Sequence, residues 1–277
     1  MSSVAAALRA ARAAGLSSLD AQLLLARILA TSRTGLIAND ERMLSVAETR
    51  RWDDAVVRRV EGEPLAYLLG EKEFAGLMLE VTTDVLVPRP ETETLVDWAV
   101  ELLVAMPPGP RSLVDLGTGS GAIALAVQAR CRDTMVTATD TSLAALVVAR
   151  RNAKRHGARI EFLTGSWWEP LGDRTFDVVL SNPPYIAAGD RHLAALRHEP
   201  VEALTAGGDG LDALRKIVTG ASRHLGHGGW LLVEHGFEQA EAVRAMLDDA
   251  GLAAVASRAD LAGRPRVSGG RAPAGTR

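Results

Sequence analysis

Between residues 113 and 233, short apolar runs alternate with amphipathic stretches, and that alternation leaves few architectures open to the chain. The runs are Leu113-Val114-Asp115-Leu116, Val136-Thr137-Ala138-Thr139, Ile160-Glu161-Phe162-Leu163, Val178-Val179-Leu180 and Trp230-Leu231-Leu232-Val233. Residues 123–130, 143–155 and 211–224 between them have helical spacing. Strand, helix, strand in succession predicts an α/β domain with a mostly parallel sheet covered on both faces. Its ligand crevice lies beyond the carboxyl ends of the strands. The informative residues should therefore follow the strands directly.

Upstream the pattern differs. Leu8, Ala11, Leu16, Leu19, Leu23, Leu24 and Ile28, and later Trp52, Val56, Val57 and Val60, recur at three-to-four spacing. Gly15 followed by Ser17 and Ser18 marks a helix stop and the next N-cap. A small all-helical domain over residues 1–72 is expected. Its ten basic and nine acidic residues are too balanced for a phosphate-binding surface. Over residues 73–87 the texture becomes Phe74-Ala75 and Leu77-Met78-Leu79-Glu80-Val81 around Gly76, which predicts a β-hairpin linker. The α/β domain then occupies 88–270. Residues 271–277 have Gly, Pro and Ala without an apolar stripe and are expected to be disordered.

Composition narrows the function classes. A net charge of −3, with 47% hydrophobic residues, fits neither a basic nucleic-acid coat nor a disordered polyampholyte. Cys131 is the single cysteine, so no intramolecular disulfide can form, and six scattered histidines give no metal-ligand spacing. No metal is expected. Arg9, Arg12, Asp20 and Arg27 break up the apolar N-terminus, so neither a signal peptide nor a membrane span is expected, and a cytoplasmic location is.

The run Asp115-Leu116-Gly117-Thr118-Gly119-Ser120-Gly121-Ala122 ends one predicted strand and opens a helix. Glycines there permit positive φ and let a ligand touch the backbone, because no Cβ intervenes. Asp140 ends the next strand, 19 residues after Gly121, where a carboxylate can accept both hydroxyls of a ribose. A nucleoside pocket is implied. The glycines alone do not say which nucleoside, since Gly117, Gly119 and Ala122 also satisfy a dinucleotide fingerprint. No G-x-x-x-x-G-K-[ST] is present, which argues against phosphate-loop nucleotide hydrolysis.

Ser181-Asn182-Pro183-Pro184-Tyr185 decides between them. It follows the run at 176–180 and so shares the rim of the sheet with the glycines. Two prolines fix φ and remove two backbone donors, leaving carbonyls and the Asn side chain for the crevice. A planar NH₂ group could give one hydrogen to the Asn182 side-chain oxygen and the other to the Pro183 carbonyl, with Tyr185 covering its face. The lone pair of such a nitrogen is delocalised, and two acceptors would direct it at an electrophile and favour the positive charge that develops in attack. The sulfonium of S-adenosylmethionine is an electrophile of that kind.

These motifs, with Val87-Pro88-Arg89-Pro90-Glu91-Thr92-Glu93, Arg197-His198-Glu199-Pro200 and Gly207-Gly208-Asp209-Gly210-Leu211, resemble the peptide chain release factor glutamine methyltransferases over nearly the whole chain. Asn-Pro-Pro-Tyr alone is shared with DNA adenine and ribosomal-protein glutamine methyltransferases. The resemblance implies a Rossmann-like, seven-stranded class I methyltransferase domain that uses S-adenosylmethionine. It would methylate the Gln side-chain amide of the Gly-Gly-Gln motif of class 1 release factors. By that resemblance Gly117, Thr118, Gly119, Ser120 and Gly121 contact the methionine portion of the cofactor, Asp140 holds the ribose and Trp167 flanks the adenine. Asn182, Pro183, Pro184 and Tyr185 grip the Gln amide, with Asn182, Pro183 and Tyr185 as the catalytic set and Asn182 also facing the cofactor. The helical domain helps to embrace the release factor. Many members carry an acidic residue just before the aromatic, where this chain has Ser166.

Other residues are given no catalytic role. Arg89 and Glu91 suit a helix start as well as a pocket wall, and Arg197 and Glu199 suit a loop ion pair or a lid. The basic cluster Arg150, Arg151, Lys154, Arg155 and Arg159 fits a solvated helix face, and Cys131 a packing site. Ribosomal-protein glutamine methylation is the nearest alternative, followed by DNA adenine N6-methylation. The latter requires a basic groove, and residues 73–277 hold 21 basic and 25 acidic side chains. An NAD-dependent oxidoreductase would use the glycines and Asp140 and has no reason for Asn-Pro-Pro-Tyr. The expected partner is a protein rather than nucleic acid or a membrane, and a monomer is expected.

Overall fold

The computed structural model describes residues 2–273. The chain divides into two compact units, Met1–Lys72 and Glu73–Arg277. The first contains α1 (Val4–Ala13), α2 (Ser18–Ile28), α3 (Arg33–Ala38), α4 (Val46–Val60) and α5 (Leu65–Leu69). Serines at positions 3, 17, 32 and 45 cap the first four, each accepting a first-turn backbone N–H. Ser45 and Glu48 complete a capping box. Leu24, Leu25, Leu36, Leu44 and Trp52 form this unit's core.

The hairpin is β1 (Glu71–Phe74) and β2 (Leu77–Glu80). Ala75 and Gly76 both have positive φ, 51° and 84°, as a tight two-residue turn requires. Glu71 and Lys72, assigned to the helical region from sequence, therefore lie in a strand. Phe74 and Leu79 are buried in the core of the second unit. Asn152 anchors the hairpin's end: it is fully buried, accepts from Glu80 N at 2.7 Å, and donates to the carbonyls of Glu80 at 2.9 Å and Ser120 at 3.0 Å.

The elements that follow are α6 (Glu93–Ala105), β3 (Arg111–Leu116), α7 (Ala122–Arg130), β4 (Thr134–Asp140), α8 (Leu143–His156), β5 (Ile160–Thr164), β6 (Phe176–Ser181), α9 (Asp212–His224), β7 (Leu225–Glu234), α10 (Ala240–Asp249), β8 (Ala253–Ala259) and β9 (Pro265–Arg271). Among the described residues they build a seven-stranded sheet in the order β5-β4-β3-β6-β7-β9-β8. All neighbours from β5 to β7 are parallel, and β9 is antiparallel to both β7 and β8. Alternation along the strands feeds two cores. Leu113, Val178, Leu180 and Leu232 pack with α6 and α7 on one face, while Val114, Val179, Leu231 and Val233 pack with α9 and α10 on the other.

Each strand recognised from sequence is present with wider bounds, most of all β7, which begins five residues before the run at 230–233. β8 and β9 have no counterpart in that reading, for a steric reason. A Cβ on Gly269 would lie 2.3 Å from Leu232 Cδ2, and one on Gly270 2.9 Å from Leu252 Cβ, so the strand uses glycine where apolar residues would announce it. The disorder expected from residue 271 also needs correction. Arg271 pairs with Trp230 and Ala253, and Ala272 N donates to the Gly229 carbonyl at 2.7 Å, so the sheet supplies partners that the local composition does not suggest. Residues 274–277 lie outside the described residues. Cys131 is buried in the core, and Arg150 and Arg151 of the basic cluster turn to the Phe162 carbonyl and to Glu80.

Candidate active site

The chain order reverses at β3, with β4 on one side and β6 on the other, and a crevice opens where such a switch occurs. Register fixes what meets there. Leu116 pairs with Thr139 of β4 and Ser181 of β6, so the glycine loop, Asp140 and Asn182 leave the sheet at one level. Ser181 Oγ donates to the Leu116 carbonyl at 2.7 Å, locking the β3 and β6 ends together.

Gly117, Gly119 and Gly121 have φ of 74°, 55° and 83°. A Cβ on Gly117 would come within 3.1 Å of the Trp167 ring, whereas one on Gly119 would meet open space. Gly117 N and Thr118 N donate to the Thr139 carbonyl, both at 2.9 Å. The Thr118 hydroxyl donates to Asp115 Oδ2 at 2.6 Å. Asp115 is fully buried and its Oδ1 has no hydrogen-bond partner. Burial above all pushes its carboxyl up to about 7, with the nearby Asp140 charge adding to the rise. Burial likewise raises Asp140, against the backbone N–H groups of Ser142 and Gly119 that lower it.

Two cavities meet at this rim. The larger, about 420 Å³, is lined by residues 117–120, Asp140, Trp167, Asn182 and Pro184. The smaller, about 230 Å³, is lined by residues 182–186 with Leu86, Leu196 and Leu204. Asn182, Pro184, Arg89, Leu86 and Ala203 belong to both walls.

The structure thus brings Gly117, Thr118, Gly119, Ser120, Asp140, Trp167 and Asn182 around one space, and Asn182, Pro183, Pro184 and Tyr185 around the adjoining one. Gly121 stands apart. Its missing Cβ faces Ala149 Cβ at 3.3 Å, so this glycine allows α7 to approach α8 and does not line the cavity. Trp167 sits at φ 47°, a left-handed conformation unusual for a bulky residue, and its carbonyl accepts from the Thr139 hydroxyl at 3.3 Å. Trp168 turns away and stacks on His224 with centroids 4.7 Å apart. Ser166 gives its N–H to Glu169 and is not part of the lining.

Thr92 and Glu234 were not singled out from sequence. Asn182 Nδ2 donates to the Thr92 hydroxyl at 3.2 Å, and the Tyr185 hydroxyl donates to Glu234 Oε1 at 3.2 Å. Glu199 is buried; it accepts from Val87 N at 3.1 Å and pairs with Arg89. Arg89 lines both cavities and Glu91 neither. Gly210 lets its segment close on the turn, since a Cβ there would fall 2.4 Å from the Tyr185 carbonyl. The Pro-Arg-Pro-Glu-Thr-Glu run was a visible signal for Thr92. Glu234, at the end of an apolar strand, was another.

A parallel sheet with a glycine loop after its first parallel strand and a carboxylate after the next has the architecture of the nucleoside-dependent methyltransferases, and residues 92–254 match the methyltransferase small domain family. Residues 2–70 match the PrmC N-terminal domain. The chain belongs to the release factor glutamine methyltransferase family: it is 51% identical to the Bordetella pertussis protein of that name over 92% of this chain and 95% of the relative. It is 49% identical to the one from Burkholderia pseudomallei over 95% and 94%. Among solved structures, a methyltransferase from Pyrococcus furiosus shares the fold with a TM-score of 0.54 and 19% identity, over 80% of this chain and 99% of that one.

Proposed function

We propose that this chain transfers a methyl group from S-adenosylmethionine to the side-chain amide nitrogen of the Gln in the Gly-Gly-Gln motif of class 1 release factors. The observation that carries this reading is the shared wall. Asn182 and Pro184 separate a nucleoside-sized cavity from a smaller one that suits an amide side chain. The names of the relatives point to the same substrate.

The residues fit the cofactor. The exposed backbone at Gly119 gives close approach, and Asp140 in the cavity wall offers acceptors for ribose. The cofactor, when bound, supplies a methyl group on positively charged sulfur. Gly117, Thr118, Gly119 and Ser120 would hold its methionine portion, Asp140 its ribose and Trp167 its adenine. The Asn182 Nδ2 is already committed to Thr92, so Asn182 Oδ1 is the atom left to accept from the substrate amide. The Pro183 carbonyl accepts the second N–H, and the two acceptors hold the NH₂ edge-on with its π face toward the larger cavity. Tyr185 acts by shape. Burial, with the Glu234 charge, raises its hydroxyl well above the ordinary range, so it stays a phenol. No base is assigned, because the nitrogen becomes acidic only after the new bond forms.

We assign recognition of the protein substrate to the helical unit, supported by its match to a separate N-terminal family domain, and methyl transfer to residues 88–270. Residues 73–87, with the hairpin, are assigned as the connection between these regions. The chain is proposed to act as a monomer in the cytoplasm, where release factors work. Among the described residues no helix is long and apolar enough to cross a membrane.

The test is incubation with labelled S-adenosylmethionine and a panel of a class 1 release factor, ribosomal protein and DNA, followed by mapping of the label. Label on the Gly-Gly-Gln glutamine is expected. Label only on ribosomal protein or on adenine would replace this reading.

A further inference from the structure

The turn assigned to grip the substrate amide has little with which to tie itself down. Pro183 and Pro184 carry no backbone N–H, so the segment Asn182-Pro183-Pro184-Tyr185 offers acceptors and few donors, and it is held from outside. Its start is fixed by the Ser181 hydroxyl on the Leu116 carbonyl, and the Asn182 side chain donates to Thr92. Its end is fixed through the peptide unit that joins Tyr185 to Ile186. The N–H of that unit donates to the Leu204 carbonyl at 2.9 Å. Its carbonyl oxygen, on Tyr185, accepts from a side chain 54 residues away, Gln239 Nε2, at 3.0 Å.

Gln239 is bound at both ends of its amide. Oε1 accepts the Gly236 N–H at 2.8 Å, and Gln239 N donates back to the Gly236 carbonyl at 2.9 Å, so one half of the residue caps the short turn that leads into α10. A backbone N–H can only donate and a carbonyl can only accept, so one orientation of the amide serves both Gly236 and Tyr185. Capping alone does not call for glutamine, because glutamate accepts an N-cap N–H equally well. Only the amide also donates. Gly210 leaves room for this bond: a Cβ there would lie 2.4 Å from the Tyr185 carbonyl oxygen and 3.1 Å from Gln239 Nε2. The same stretch of chain holds the ring end of Tyr185, whose hydroxyl donates to Glu234 Oε1 at 3.2 Å.

We propose that Gln239 is a positioning residue for methyl transfer: by holding the Tyr185 carbonyl it keeps the Asn182 and Pro183 acceptors where the substrate NH₂ must meet them. This deepens the glutamine-methylation reading and rests on it. Gln239 lines neither cavity and acts through the turn. With φ fixed at 183 and 184, the segment has few torsions to absorb a displacement, so one at the Tyr185 carbonyl is passed on to the Pro183 carbonyl.

Two substitutions separate this role from helix capping, in the full-length protein at about pH 8, where an introduced glutamate is ionised. Gln239→Glu keeps the acceptor for Gly236 and puts an oxygen in place of the donor to Tyr185, whereas Gln239→Met removes both. Each is expected to lower kcat by at least about tenfold, with KM for the release factor and S-adenosylhomocysteine affinity changed by less than about twofold. Each is also expected to quicken hydrogen exchange at the Ile186 amide in the protein bound to S-adenosylhomocysteine. Wild-type kcat in Gln239→Glu, whatever Gln239→Met does, confines Gln239 to capping and overturns the proposal. A fall in kcat matched by an equal fall in S-adenosylhomocysteine affinity overturns it too, since that is the mark of a loosened fold. Should Gln239→Glu not fold, Gln239→Met decides, and wild-type kcat with unchanged Ile186 exchange in that variant is the overturning result. If the wild type methylates no release factor, the glutamine reading falls separately, and Ile186 exchange still decides whether Gln239 holds the turn because it needs no protein substrate.

Discussion

Asp140 Oδ2 accepts the backbone N–H of Gly119 at 2.8 Å, so the carboxylate proposed to hold the ribose is also a strut of the glycine loop. Its Oδ1 accepts from Ser142 N, also at 2.8 Å. A carboxylate offers about four lone-pair sites, which leaves roughly two for ribose hydroxyls. Asp140→Ala removes those acceptors and frees Gly119. We expect S-adenosylhomocysteine binding to weaken by about 1–3 kcal/mol, read by calorimetry. Unchanged affinity would place the ribose elsewhere.

Asn182→Ala separates binding from chemistry. The larger cavity keeps its glycine loop, Asp140 and Trp167, so cofactor affinity should hardly change. Turnover should fall by at least about 10²-fold, as when one preorganised polar contact to a reacting group is lost. Full turnover in this variant would remove Asn182 from the mechanism.

Glu234 and Asp115 make stability depend on pH with an unusual sign. Their carboxyls are raised from 4.5 and 3.8 to about 7 by burial, so the folded state keeps protons that the unfolded chain has released. Their contribution is present in full below the ordinary carboxylate range and is lost as pH rises to about 7. Glu234→Gln cannot ionise. Its melting temperature relative to wild type should climb between pH 4.5 and about 7 and then level off. A difference that stays constant with pH would mean that Glu234 is already ionised throughout.

The Arg89–Glu199 pair joins the start of the catalytic unit to the loop that forms one wall of both cavities. Arg89 is 35% exposed while Glu199 is 2% exposed in its side chain, so Arg89→Ala leaves a buried carboxylate that keeps the Val87 N–H and loses its guanidinium. The cost should be about 1–3 kcal/mol, below that of a fully buried pair because water reaches the arginine. Hydrogen exchange should quicken at the Val87 amide and over residues 199–204. Unaltered exchange there would show that the wall is held by packing.

What sequence made legible follows from local backbone chemistry. Glycines at 117 and 119, the carboxylate at 140 and the prolines at 183 and 184 each sit at the end of an apolar run. Positive φ, a missing donor or a fixed φ says what such a residue does without reference to its neighbours. Apolar alternation likewise settled the parallel strands and their helices. β8 and β9 stayed hidden because Gly269 and Gly270 are chosen for crowding by Leu232 and Leu252, which are distant along the chain.

Tertiary structure alone decided the partnerships. Thr92 meets Asn182 across 90 residues, Arg89 meets Glu199 across 110, and Asn152 reaches Ser120 across 32. No local pattern encodes these pairs, since each depends on strand order and register bringing two chain ends to the same rim. The sequence by itself determined which groups could do chemistry. The sheet determined which of them touch, because a hydrogen bond of about 3 Å is set by where the backbones lie and not by how far apart they are in the chain.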